Sequence, residues 1–244
     1  MQNQFDPRVS GVDPAISVGV PRVARDAGLR SYMLSVYNYM ASGVLLTGIV
    51  ALVLAMTGVA QAIFFNGGIL KWVVIFAPLV MIFVMGARMQ TMSTAGMKGF
   101  FWAFATLMGV SMSVIPLIYS GTSIATTFFA TAAAFMSLSL YGYTTKKDLS
   151  GLGTFLIMGV VGLLVVMIAN MFIQSSGLSL AISAIGVLLF AGLTVYDTQK
   201  IKSIYAHVAG TDMMGKTAIM GALTLYLDFI NMFQFLLSFM GSRE

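Results

Sequence analysis

The segments LTVYDTQK (residues 193–200) and LTLYLDFINMF (residues 223–233) each carry one aspartate within an apolar run. These residues, Asp197 and Asp228, are the carboxylates that fall inside apolar segments of the sequence. A carboxylate is unfavourable in hydrocarbon, so it normally faces the interior of a helix bundle and a partner there. The two aspartates therefore predict a functional element buried within a membrane-spanning bundle.

The composition is that of an integral membrane protein. The 244 residues are 59% hydrophobic and 9% charged, whereas a soluble domain is about a quarter charged. The absence of cysteine excludes disulfides, thiolate metal sites and cysteine catalysis. The net charge of +5 comes from basic residues in short loops between apolar runs, a pattern that signals membrane orientation and not nucleic-acid binding.

The apolar runs predict an all-α fold, a bundle of seven membrane-spanning helices, because about 20 residues cross the hydrocarbon core. Only helices and closed barrels satisfy the backbone in lipid, and these runs are too long and too uniformly apolar for barrel strands. Turn signals at residues 120–123 and 174–177 divide the longest uncharged stretches. The predicted spans are residues 33–57, 72–88, 99–119, 123–143, 152–174, 178–199 and 218–240.

Two regions and an orientation follow from this pattern. Residues 1–30 are predicted to be a polar cytosolic tail and residues 31–244 the transmembrane domain, with an outer loop at residues 58–70. Of the thirteen Lys and Arg residues, all but Lys71 and Arg243 fall on one side of the predicted bundle. Because basic residues accumulate on the cytoplasmic side, the N-terminus is expected inside and the C-terminus outside.

Asp197 and Asp228 lie on consecutive spans joined by one loop, and such helices usually pack together. Their predicted depths differ, and the difference shrinks if the sixth span extends past Lys200 or the seventh begins nearer Met220. Carboxyls in contact cannot both ionise without strong repulsion, so the pair is expected to share a proton near neutral pH or to bind a hard cation such as calcium. Alternatively, each aspartate bonds separately to a tyrosine, a threonine or the backbone and only joins helices.

Several other polar residues are candidates for supporting roles. Arg88, at the end of the second span, is either a plain positive flank or an ion-pair latch that holds the bundle shut while the aspartates are ionised. Tyr196 adjoins Asp197, and Asn231 follows Asp228 by three residues on the same helix face. Proline residues inside two predicted spans are expected to kink them; they are Pro78 and Pro116.

The two aspartate segments, together with GARM at residues 86–89, resemble the transmembrane Bax inhibitor motif family over residues 30–240. The resemblance is strongest to the bacterial inner-membrane branch. It implies a calcium-leak fold in which six helices surround the last one. It also implies that Asp197 and Asp228 form a proton-sensitive pair onto which Arg88 can latch. No glutamate lies in any predicted span and the long charged C-terminal tail of eukaryotic members is missing, so roles of those features are not transferred.

Three functions are consistent with these features. The first is a pH-sensitive calcium leak channel of the bacterial inner membrane, gated by the aspartate pair, without a cofactor and with lipid and calcium as its partners. The second is an interaction protein that modulates a membrane protease or a stress pathway by contacting other membrane proteins. The third is an intramembrane aspartyl protease, in which two carboxyls activate water.

The protease hypothesis is the weakest of the three. The residues before Asp228 are Leu-Tyr-Leu and not the Gly-x-Gly of such enzymes, and no proline follows Pro116 to supply their Pro-Ala-Leu element. The sequence also lacks the HExxH, GxSxG and Walker patterns, and His207, its one histidine, cannot build a zinc site alone. No catalytic residue is therefore assigned, and the protein is not expected to be an enzyme.

Overall fold

The structure, a computed structural model, describes residues 22–242 of the chain. Seven of its helices are long and apolar enough to cross a membrane, which confirms the predicted fold class for the described residues. The helices are α1 (Arg22–Met56), α2 (Val59–Phe65), α3 (Leu70–Arg88), α4 (Thr94–Met112), α5 (Gly121–Thr144), α6 (Ser150–Ile173), α7 (Ser176–Val208) and α8 (Met213–Met240).

Serine side chains cap the first turn of three of these helices, two of them at the predicted turns. Ser120 Oγ accepts a hydrogen bond of 3.3 Å from the backbone N–H of Ser123, and Ser175 Oγ accepts one of 3.3 Å from Leu178. Ser93 caps α4 in the same way. Such caps satisfy backbone donors that a helix start leaves without partners. The turn signals in the two long uncharged stretches therefore mark real helix boundaries.

Four differences from the predicted helix boundaries bear on the fold. The first helix already begins at Arg22, inside the segment predicted to be tail, while residues 1–21 lie outside the described residues. The short helix α2 occupies the predicted outer loop, after Gly58 ends α1 with a left-handed φ of 76°. Pro116 lies in a 3₁₀ turn beyond the end of α4, whereas α3 continues through Pro78. The fourth difference, at the end of α7, concerns the aspartates.

The last helix, α8, is the centre of the bundle. In its most apolar stretch 61% of the residues are buried, against 39% or less in the other spans. It packs against α1, α4, α5 and α7, whereas α3 packs mainly on α4 and α6 on α7. The predicted central position of the last helix is confirmed, with four helices packed directly on it and α3 and α6 outside that ring.

Tyr226 fixes α8 to its neighbours in the middle of this core. Its side chain is fully buried and makes edge-to-face contacts with the rings of Phe101 and Phe104 on α4. The hydroxyl of Thr47 donates to the carbonyl of Ala105 at 2.8 Å, so the Tyr226 hydroxyl donates to Thr47 Oγ1 at 2.6 Å. Aromatic packing and a satisfied polar tip therefore join α1, α4 and α8.

Candidate functional site

Asp197 and Asp228 lie at similar depths because α7 is longer than predicted. It extends past Lys200 to Val208, since Ile201 and Tyr205, four residues apart, continue its buried face. Residues 197 to 208 span about 17 Å at helical rise, and residues 213 to 228 of α8 span about 23 Å. The short turn between α7 and α8 therefore brings the two aspartates to nearly the same level.

The two carboxyl groups lie within hydrogen-bonding distance of each other. Asp197 is 9% exposed and Asp228 is 4% exposed. Asp228 Oδ2 is buried and accepts no hydrogen bond from any donor of the described residues. Two ionised carboxylates in such contact would repel strongly, so a single shared proton is the arrangement that satisfies the buried oxygens. In that arrangement the protonated carboxyl would donate to the other.

The threonines beside Asp197 do not serve as its partners. Thr194 Oγ1 donates to the carbonyl of Phe190 at 2.8 Å, and Thr198 Oγ1 donates to the carbonyl of Thr194 at 2.7 Å. Their protons therefore stay within α7. The described hydrogen bonds do not supply the separate partners that a purely structural role of each aspartate would require.

Thr198 instead ends a hydrogen-bonded chain that crosses three helices. Since Thr198 donates to its own helix, Ser139 Oγ on α5 donates to Thr198 Oγ1 at 2.9 Å. The hydroxyl of Tyr37 on α1 then donates to Ser139 Oγ at 2.7 Å. Sequence reasoning missed this chain because its members are far apart in sequence and each resembles an ordinary polar residue of a span.

Lys200 is the basic residue whose charge acts on Asp197. It follows Asp197 by three residues, is exposed, and interacts with it electrostatically. Its ammonium also lies 5.8 Å from the centre of the Tyr196 ring. The three-residue spacing was the signal that sequence reasoning did not use, because residues at i and i+3 share a helix face.

Arg88 does not reach the pair in this structure. It is exposed at the end of α3, a helix that packs mainly on α4, and neither aspartate interacts with it. The latch between Arg88 and the pair therefore remains a prediction about another arrangement of α3.

The two residues predicted to support the pair make other contacts in the structure. The ring of Tyr196 packs over Gly153 on α6, where an added Cβ would overlap the ring. Asn231 Nδ2 donates to the carbonyl of Leu227 at 2.8 Å. Asn231 and Asn170 line one crevice of about 430 Å³ between α6, α7 and α8. Asn170 Nδ2 there donates to Ser179 Oγ at 2.8 Å across the turn between α6 and α7.

The pair can supply part of a coordination shell for a hard cation. Calcium takes six to eight oxygen ligands, and carboxylates are prominent among them. Residues 22–242 contain no cluster of three or more His, Cys, Asp or Glu side chains that could hold a metal. The two carboxylates could therefore supply only part of such a coordination shell.

Comparison with known proteins gives one family. Residues 29–244 match the family model described as inhibitor of apoptosis-promoting Bax1. An uncharacterized protein of Rickettsia prowazekii is 47% identical over 222 residues, which cover 90% of this chain and 92% of that protein. A Caulobacter vibrioides protein is 44% identical over 228 residues, 90% of this chain and 91% of its own length. The Escherichia coli inner membrane protein YbhL is 41% identical over 220 residues, 89% of this chain and 94% of its own.

Proposed function

The chain belongs to the Bax inhibitor-like family of membrane proteins, and we propose that it is a pH-sensitive leak channel for calcium or a similar cation. The observation that carries this proposal is the contact between the buried carboxyls of Asp197 and Asp228 at the interface of α7 and α8. Ionisable groups inside a membrane bundle mark ion and proton pathways in many proteins. Similarity to an Escherichia coli inner membrane protein supports a location in the inner membrane.

The mechanism turns on the proton that the two carboxyls share. When this proton is lost, two negative charges occupy a site of low dielectric constant and attract positively charged side chains. Lys200 already lies near Asp197, and Arg88 would add a second positive charge if α3 moved inward and closed the bundle. Protonation weakens these attractions and lets the helices around α8 loosen. Flux is therefore expected to rise as the pH falls.

The test is calcium flux into liposomes that contain the purified protein, measured from about pH 5.5 to 8. Buried carboxyl groups can titrate within this range. Wild-type flux should vary with pH, and Asp197→Asn and Asp228→Asn should each remove that dependence. Flux with unchanged pH dependence in both variants would refute gating by the pair.

Asp148→Asn is the matched control, since it makes the same chemical change in the loop between α5 and α6. Asp148 Oδ1 accepts two hydrogen bonds from Ser150, one from its hydroxyl at 2.6 Å and one from its backbone N–H at 2.9 Å. These bonds hold the pKa of the Asp148 carboxyl below its ordinary value. Asp148 therefore stays ionised throughout the assay range, and its replacement should leave the pH profile unchanged.

Two other outcomes would select the alternative functions. No flux at any pH, with a membrane partner that still co-purifies with the Asp→Asn variants, would support an interaction protein that modulates a protease or stress pathway. Cleavage of a membrane substrate that either aspartate substitution abolishes would support the aspartyl protease hypothesis. We propose no enzymatic activity, because a carboxyl pair in contact also fits an ion site and the protease motifs are missing from the sequence.

A further inference from the structure

A lateral groove runs between α1 and α5, apart from the aspartate pair. Its volume is about 680 Å³, and α8 contributes to its floor. The floor consists of the buried side chains of Met33, Met40, Phe135 and Phe229. We call this feature the α1–α5 groove.

The groove exists because α1 and α5 pack on the same helices but not closely on each other. Both contact α7 and α8. The hydrogen bond between Tyr37 and Ser139 crosses the space between α1 and α5. The small side chains of Ala41 and Ala132 line this space and do not fill it. The rims are apolar and open to the membrane, with Leu45 65% and Leu140 63% exposed. The groove is thus shaped for a narrow, flexible and apolar occupant.

The length of the groove matches one leaflet of a bilayer. Its lining along α1 extends from Arg30 to Leu45, which is about 22 Å at helical rise. Half of a bilayer with its headgroup region is also roughly 20–22 Å. With the charged Arg30 at headgroup level, the other end of the groove would lie near the bilayer centre.

The headgroup end of the groove is positively charged. Arg30 lines it, is exposed, and forms no ion pair with any carboxylate of the described residues. Tyr143 lines it as well, with the Lys202 ammonium 5.0 Å from its ring centre and bonded to its carbonyl at 2.7 Å. An unpaired guanidinium is well suited to bind a phosphate.

We propose that the α1–α5 groove binds an acyl chain of an anionic glycerophospholipid, with the lipid phosphate on Arg30. The lipid belongs to the leaflet at the end of the bundle where Arg30 lies. The acyl chain fills the gap between α1 and α5. It covers Tyr37, the first residue of the hydrogen-bonded chain that ends at Thr198. The site involves neither aspartate, so its test does not depend on calcium flux.

The test is native mass spectrometry of the full-length protein in detergent, titrated with dioleoylphosphatidylglycerol or with dioleoylphosphatidylcholine. The two lipids share their chains and differ in net charge. The wild type should bind the anionic lipid about fivefold more tightly, the equivalent of roughly 1 kcal/mol for one basic residue at an anionic surface. Arg30→Gln should remove this preference, and Arg30→Lys should keep most of it.

Groove shape is tested separately by Ala132→Leu, which places a larger side chain in the lining and should weaken binding of both lipids. Ala169→Leu makes the same change on the exposed surface of α6, and Lys216→Gln removes a charge at the same end of the bundle but outside the groove. Neither control should alter binding. Equal affinity for the two lipids in the wild type, an anionic preference that survives Arg30→Gln, or unchanged binding in Ala132→Leu would overturn the proposal.

Discussion

Lys200 lies one helical turn beyond Asp197 on α7, and its charge acts on the Asp197 carboxyl. Lys200 is exposed, so water and salt screen this interaction. Removing the cation makes the ionised pair less favourable, and the pair then retains its shared proton to a higher pH. Lys200→Gln is expected to move the midpoint of the flux profile upward by roughly 0.2–0.4 pH unit, which corresponds to a helix-surface pair of about 0.3–0.5 kcal/mol.

The measurement is the same liposome flux assay, with Lys200→Arg and Lys146→Gln as companions. Arginine preserves the positive charge and should preserve the midpoint. Lys146 is an exposed residue of the loop between α5 and α6, and its loss should have no effect. A midpoint that moves downward in Lys200→Gln would contradict the assignment of Lys200 as the cation that acts on the pair.

Tyr226→Phe is expected to lower stability while leaving the fold intact. The substitution keeps the ring between Phe101 and Phe104 but removes the hydroxyl that donates to Thr47 Oγ1. A hydrogen bond between membrane helices contributes about 0.6–1.5 kcal/mol. The melting temperature in detergent should therefore fall by about 2–4 °C.

Tyr141→Phe is the matched control for this prediction, since Tyr141 is 51% exposed on α5. It removes the same hydroxyl group from the bundle surface and should leave the melting temperature unchanged. If both variants melt at the wild-type temperature, the bond between Tyr226 and Thr47 contributes nothing to holding α8 in place.

Gly142→Ala tests how closely α5 must approach α7 beside the aspartates. A Cβ at residue 142 would meet the carbonyl oxygen of Val195 and lie 3.1 Å from Thr198 Cβ. A backbone contact cannot rotate away, so α5 must shift, at a cost of about 1–3 kcal/mol. Alanine has a higher helix propensity than glycine, so without this contact the substitution would stabilise α5. A loss of stability would therefore report the contact.

Thermal unfolding and the flux profile should both be measured for this variant. Gly162 on α6 has no atom near the position of an added Cβ, so Gly162→Ala should be neutral or stabilising. A Gly142→Ala protein as stable as Gly162→Ala would show that α5 and α7 are not in tight contact next to Asp197.

The sequence allowed accurate prediction of features that depend on local signals. Hydropathy located the seven spans, and the turn signals near Ser120 and Ser175 located the helix starts that those serines cap. The adjacency of Asp197 and Asp228 followed from their places on consecutive spans. The continuation of α7 past Lys200 was less visible, because charged residues end the apolar run there while Ile201 and Tyr205 keep a buried helical face.

Features that depend on packing between distant segments could not be predicted. The chain from Tyr37 through Ser139 to Thr198 requires three helices to meet, and nothing in the separate segments shows this. The distance of Arg88 from the aspartates has a similar origin, since α3 packs on α4 and not on the hairpin of α7 and α8. A charged residue at the end of a span indicates its own depth in the membrane but not which helices surround it.

The orientation of the bundle is open to a direct test, because the sequence contains no cysteine. Asn66 is exposed in the connection between α2 and α3, and Ala209 is exposed in the turn between α7 and α8, at opposite ends of the bundle. The basic residues cluster at the end that holds Ala209, so this end is expected to face the cytoplasm.

A membrane-impermeant thiol reagent should then label Asn66→Cys in intact spheroplasts, and it should label Ala209→Cys only after the membrane is permeabilised. Because each variant carries a single thiol, labelling in the reverse order would place the aspartate pair nearer the outer face and would reverse the direction from which protons reach it.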